Sequence, residues 1–290
     1  MSTELAVVTD MGVSMAEAMG INVGGGTTVS MPRLSIIHTA VMGTMDIGGK
    51  KVKTEVVPSG SYKYTPNADT TIYCAAPEIR IFAMRQQWTK WDNDSEKMLR
   101  SVMANDLKGD LKDNRGGFNI GRPGGYIADF NGLPQDQKDI IRAVKRTKNV
   151  FGMVTLHGAM NEAGEPVDGY TDPMPFAMDL KNNDSIKALD AAIKMIGRKN
   201  LLPIQHTLVL GSLEHTLPTG NMFSTSTFGI GENTGLLPGD DDTLRNFFDY
   251  IEYMNGKVLE AWDKAHSNDS GLSAEEVDIV NDFVNVEEAD

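Results

Sequence analysis

The residues best equipped for chemistry in this chain are cations interleaved with aromatic rings. Residues 78–91 read Glu-Ile-Arg-Ile-Phe-Ala-Met-Arg-Gln-Gln-Trp-Thr-Lys-Trp. With the two-residue period of an extended strand, Arg80, Phe82, Met84 and Trp88 face one side, and Ile79, Ile81 and Ala83 face the other. Arg85, Lys90 and Trp91 in the same run are further candidate nucleic-acid contacts. Rings so placed stack on bases of any identity, at about 1–3 kcal/mol per base, and guanidinium forks match phosphate. Residues 115–126, Arg-Gly-Gly-Phe-Asn-Ile-Gly-Arg-Pro-Gly-Gly-Tyr, repeat the combination in a loop. The glycines permit close backbone approach, Arg115 and Arg122 supply charge, and Phe118 and Tyr126 supply rings.

A third basic element follows Pro134. Lys138, Arg142 and Lys145 recur at helical spacing opposite Ile141 and Val144, with Arg146 and Lys148 directly behind them. Each element also has a plainer reading: Phe82 and Trp88 as core, the arginines solvating an edge, and the stripe as an ordinary wet face beside Asp136 and Asp139. Their coincidence in one stretch makes a nucleic-acid surface the expectation.

Catalytic signatures are weaker. His38, His157, His206, His215 and His266 are scattered, and none has the i,i+4 partner of a helical metal site. The glycine-rich stretch lacks the Gly-Lys-Ser/Thr ending of a phosphate-binding loop, and no G-x-S-x-G elbow occurs. Asp240, Asp241 and Asp242 stand just before an apolar helical stripe, where first-turn acids offset the helix dipole. Neither an enzyme nor a metal or other cofactor is expected. A hydrolase or nuclease using Asp168, Asp172 and Asp240 to Asp242 with a divalent cation is a minor alternative, and a structural or assembly protein is another.

The elements that must position these residues are mixed. Strand-like runs occupy residues 34–42, 51–57 and 70–91, the last interrupted by Pro77, with a glycine turn at 46–50 between the first two. Further strands are expected at 149–157, 175–180, 204–210 and 221–229. Helices are expected from Asp94 or Ser95 towards Asp106, from Pro134 to about Lys145, from Asp184 or Ser185 to a stop at Gly197, and across residues 242–266. Leu244, Phe247, Phe248, Ile251, Met254, Val258 and Trp262 form the apolar stripe of the last. The fold expected is α+β, a β-rich antiparallel sheet or barrel elaborated with several helices and without regular βαβ alternation. Residues 1–29, ending near Gly24-Gly25-Gly26, read as a mobile arm, 30–266 as one body, and 267–290 as a tail.

With 290 residues the chain can bury roughly 75% of its unfolded surface in one core, and its single cysteine, Cys74, excludes an internal disulfide framework or a cysteine zinc cluster. The first residues have neither the basic head nor the apolar core of a secretory signal, and no apolar run nears the ~18 residues of a membrane span, so a soluble cytoplasmic protein is expected. A net charge of −13 argues at first against nucleic acid. Its distribution reverses that inference. Residues 80–148 carry 14 Lys/Arg against 9 Asp/Glu, a net +5, whereas 267–290 carry no base and 8 acids, a net −8.

The acidic end interleaves Asp278, Asp282, Glu287, Glu288 and Asp290 with Val277, Ile279, Val280, Phe283 and Val284, apolar residues that a purely solvating tail does not need. With the runs IRIFAMRQQWTKWD and GGFNIGRPGGYI, this arrangement resembles the single-stranded-DNA-binding proteins of tailed bacteriophages, which have an OB-type body followed by an acidic tail. The resemblance implies sequence-independent coating of single-stranded DNA in phage replication and recombination, in the host cytoplasm, with homo-oligomers compatible. It also implies a tail, including Asp278, Asp282, Phe283, Glu287, Glu288 and Asp290, that recruits polymerase, helicase or primase and competes for the basic surface when DNA is absent.

Overall fold

A computed structural model of the chain describes residues 31–47, 50–125 and 127–269. Its strands are β1 (Arg33–Ile36), β2 (Val41–Ile47), β3 (Lys50–Val57), β4 (Tyr62–Asn67), β5 (Thr70–Cys74), β6 (Glu78–Asp92), β7 (Lys97–Arg100), β8 (Lys145–Thr155), β9 (Met174–Leu180), β10 (His206–Thr216) and β11 (Met222–Asn233). The helices are α1 (Gln135–Ala143), α2 (Asn183–Gly197) and α3 (Asp240–Asp269). Nine strands form one sheet in the order β11-β10-β6-β8-β9-β1-β4-β5, with β7 on the far end of β6, while β2 and β3 pair separately. The pairing is antiparallel except between β1 and β9.

The sheet curls until its two ends face each other. The Tyr62 hydroxyl on β4 donates to the Gly211 carbonyl on β10 at 2.8 Å, and the His38 ring accepts from the Ser224 amide on β11 at 3.3 Å. No strand ladder joins β5 to β11 among the described residues, so the curl is an open sheet rather than a closed barrel. Inside it lies the main core, where Leu34, Tyr62, Ile79, Val150, Phe176 and Leu210 meet the Ile186, Leu189 and Ile196 face of α2. Apolar residues of α2 recur three and four apart, and the Asn182 side chain caps its first turn by accepting from the Asp184 and Ser185 amides. On the other face of the sheet, Phe247 and Ile251 of α3 cover Ala83, Phe151 and Ala177. A third cluster joins Trp88, Leu99, Ile120 and Val144 at the far end of β6.

Several expectations need correction. The helix expected from Asp94 or Ser95 is instead a turn, in which the Ser95 hydroxyl donates to Asp92 at 2.7 Å, followed by β7 pairing back on Thr89 to Asp92. Leu99 is thereby buried beside Trp88, and this tertiary contact prevails over local helix preference. The helix expected to reach Lys145 stops at Ala143 because Val144 is extended and Lys145 opens β8. Lys145 therefore does not share a helical face with Lys138 and Arg142. Residues 34–42 are divided between β1 and β2, and the last helix runs to Asp269, beyond the expected start of the tail at 267. The arm at 1–29 and tail residues 270–290 lie outside the described residues.

Candidate nucleic-acid interface

The strand expected to present Arg80, Phe82, Met84 and Trp88 on one face carries a bulge. Ile81 pairs with Gly152 and Ala83 with Phe151, leaving Phe82 as the extra residue. The alternation changes phase there, so Phe82 and Ala83 both join the α3 layer, while Met84 joins the main core with Ile79 and Ile81. Gly152 is what lets the strands approach, because a Cβ at that position would collide with the Arg80 carbonyl oxygen.

Most of the front expected on this strand is occupied within the fold. Arg80 is nearly buried and donates to Asp240 through Nη1 at 3.1 Å and Nη2 at 2.8 Å, and to the Ile204 carbonyl through Nε and Nη2. Burial raises the Asp240 carboxyl, but hydrogen bonds from Arg80 and the Leu237 amide outweigh it and hold the group below its ordinary range. Phe82 packs on Phe247, and the Arg85 guanidinium lies over Phe248. Lys148 is buried and pairs with Asp190 of α2. Asp241 and Asp242 sit beside Asp240 in the first turn of α3, as dipole compensation requires.

The third cluster holds the second expected group. Trp88 is buried, with the Arg122 guanidinium 4.6 Å from its ring centre. Arg122 also donates to the Ile141 carbonyl at the end of α1, and burial lowers its pKa. The glycine-rich loop is shaped by Asp113, whose buried carboxylate accepts from the Arg115, Gly117 and Ile120 amides. Asn119 and Ile120 adopt φ of 53° and 57°, left-handed values at non-glycine residues that this bonding and the burial of Ile120 hold in place. Tyr126 lies outside the described residues, as do the tail residues Asp278, Asp282, Phe283, Glu287, Glu288 and Asp290.

What remains accessible gathers at the β7 end of the sheet. Trp91 is 53% exposed and Phe118 is 49% exposed. Lys145 is paired opposite Thr89, two positions from Trp91. Lys90 and Arg115 lie close enough to Asp92 to lower its carboxyl pKa, although the Ser95 hydrogen bond is the larger cause. Phe118 meets Trp262 of α3 edge-on, and Lys112 sits 3.8 Å over the same indole. On the other flank, the exposed Arg142 lies over Phe130 and beside Asp139, the Lys145 ammonium reaches the Arg142 carbonyl and Lys138 reaches the Asn131 carbonyl. Arg146 is half-buried opposite Trp88. The structure thus leaves Trp91, Arg115, Phe118, Arg142 and Lys145 exposed and Lys90 half-buried, and assigns Arg80, Phe82, Trp88, Arg122 and Lys148 to packing.

Sequence reasoning missed a polar cleft between the sheet and α3, lined by Arg33, Gln87, Arg100, Asn149, Asp179 and Tyr250 among others, with a volume of about 200 Å³. The available signal was Lys145-Arg146-Thr147-Lys148-Asn149, a polar run opening a strand that turns mostly apolar from Val150. Among the described residues no three His, Cys, Asp or Glu side chains converge on a point suited to a metal ion, and no helix is long and apolar enough to cross a membrane. Comparison with protein-family models, curated proteins and solved structures found no match for the chain.

Proposed function

We propose that this protein binds single-stranded DNA without sequence preference, at the end of the sheet where the β6–β7 hairpin, the glycine-rich loop and the start of β8 meet. The observation that carries the reading is the exposure of Trp91 on the β6–β7 hairpin and of Phe118 in the glycine-rich loop, with Lys90 and Arg115 acting on neighbouring Asp92 and Lys145 paired opposite Thr89. Exposed rings offer a stacking platform, and the surrounding cations attract a phosphate chain. Only an unpaired strand can splay its bases onto such rings. The curled sheet serves as an OB-like body in this reading, and the protein acts in phage DNA replication or recombination. The −8 of residues 267–290 then competes with DNA for the basic surface and, once displaced, recruits replication partners.

A gel-shift and tryptophan-quenching titration with a single-stranded oligonucleotide at two salt concentrations tests the reading. The expected result is quenching, affinity that falls steeply with salt, and an intact oligonucleotide afterwards. Absence of binding at low salt, or cleavage of the strand, would overturn it.

A further inference from the structure

The cleft beneath α3 is built by a chain of polar contacts that ends on an atom without a partner. Arg33 donates to Asp179 at 2.6 Å, and Asp179 accepts from the Asn149 Nδ2 at 2.8 Å. These contacts fix which way the Asn149 amide points, and its buried Oδ1 is left with no hydrogen bond among the described residues. Gln87, 5% exposed like Asn149, also makes no side-chain hydrogen bond there. Arg100 lines the same cleft half-buried, and its guanidinium has neither an ion pair nor a hydrogen bond among the described residues. With Arg33 and Lys181 against the single carboxylate of Asp179, the lining carries an excess of positive charge. Phe151 and Tyr250 supply ring walls.

These groups ask for one kind of occupant. An orphan amide oxygen wants a donor, a second amide offers a donor and an acceptor beside it, and an unpaired guanidinium wants an anion. Paired amide edges are the groups that read a base through its ring nitrogen and exocyclic amine, and the edge-to-face pair of Phe151 and Tyr250 offers its body an apolar wall. The volume of about 200 Å³ is many times the ~10–15 Å³ that one water needs. We propose that this cleft holds one nucleotide, with the exocyclic amine of its base at Asn149 Oδ1, its ring edge at Gln87 and its phosphate on Arg100. The choice of a nucleotide over another amine-bearing anion rests on the strand-binding reading. The nucleotide is either free or one unit of a bound strand, and as a strand unit it adds a preference for amine-bearing bases at one position to binding that elsewhere ignores sequence.

Calorimetric titration of the full chain with dAMP, TMP, inorganic phosphate and a single-stranded oligonucleotide tests this, on the wild type, Arg100→Gln, Gln87→Leu and Trp91→Ala. The expected result is that dAMP binds at least tenfold more tightly than TMP or phosphate. Arg100→Gln and Gln87→Leu should each lose at least tenfold for dAMP, and Trp91→Ala should leave dAMP binding unchanged. If the two cleft variants also weaken the oligonucleotide, the occupant is a strand unit; if they do not, it is a free nucleotide. Binding of dAMP without binding of the oligonucleotide sustains the cleft and sinks the strand reading. Oligonucleotide binding with no dAMP binding, and no effect of either cleft variant, sinks the cleft alone. Should a variant fail to fold, magnetisation transfer from Tyr250 and Phe151 ring protons to the base of dAMP, measured on the wild type, decides the same question; its absence at saturating dAMP would overturn the proposal.

Discussion

The Arg80 guanidinium and the Asp240 carboxylate meet through two hydrogen bonds, at 2.8 and 3.1 Å, where the middle of the sheet touches the first turn of α3. Nearly buried on both sides, the pair ties α3 to β6, and Arg80 also holds the Ile204 carbonyl ahead of β10. Arg80→Ala is therefore expected to destabilise the fold by about 3 kcal/mol, since one buried charge is left alone. A fall in midpoint in a urea titration checks this. An unchanged midpoint together with weakened DNA binding would return Arg80 to the interface.

Asp240 sets a pH dependence. Its folded carboxyl lies below the unfolded value of about 3.9, so the stabilisation is fully present above that pH and is lost as pH falls through the folded value. Denaturation followed from neutral pH downward should show a loss at the acid end that is smaller in Asp240→Asn.

Trp88 and Trp91 lie three positions apart and should behave oppositely. Trp88 is buried with Leu99 and Val144, and its replacement by alanine is expected to cost about 3–5 kcal/mol of stability. Trp91→Ala should leave the melting temperature within about a degree or two and weaken single-stranded DNA binding by about 1–3 kcal/mol, alike for all sequences. Parallel thermal melts and quenching titrations distinguish them.

Charge reversal at the rim should change the salt slope. Arg142→Glu and Lys145→Glu are each expected to flatten the plot of log affinity against log salt by about 0.7 for every phosphate that is no longer neutralised. Titrations at four salt concentrations give the slope, and identical slopes would remove these residues from the interface.

Gly152→Ala is expected to destabilise by about 1–3 kcal/mol, because the added methyl group meets the Arg80 carbonyl across the bulge. Calorimetric melting checks it. The same substitution at Gly109, where a Cβ meets nothing within 4 Å, serves as the control.

The long terminal helix was legible because Leu244, Phe247, Ile251, Met254 and Val258 repeat three and four apart and the three aspartates mark its start. The strands from 145 onward were legible from β-branched and aromatic runs. The face of β6 was not, since a bulge depends on what the partner strand offers, here the bare Cα of Gly152, and nothing local to residues 78–91 announces it. Nor was β7, a run of Lys-Met-Leu-Arg whose helical preference yields to pairing with β6. In the candidate site, residue types were readable but exposure was not. Arg122 and Arg115 flank the same glycines, yet one stacks on a buried indole and the other faces solvent.

β6 contributes to all three apolar clusters among the described residues: Ile79 and Ile81 to the main core, Ala83 to the layer under α3, and Trp88 to the far cluster. One backbone segment thus threads all three, so that unpairing β6 along its length opens them together. Peeling the strand to expose any one cluster strips the hydrogen bonds that hold its neighbours. The amides of its middle should accordingly exchange with solvent only through opening of the whole sheet, giving a body that yields at once rather than in parts.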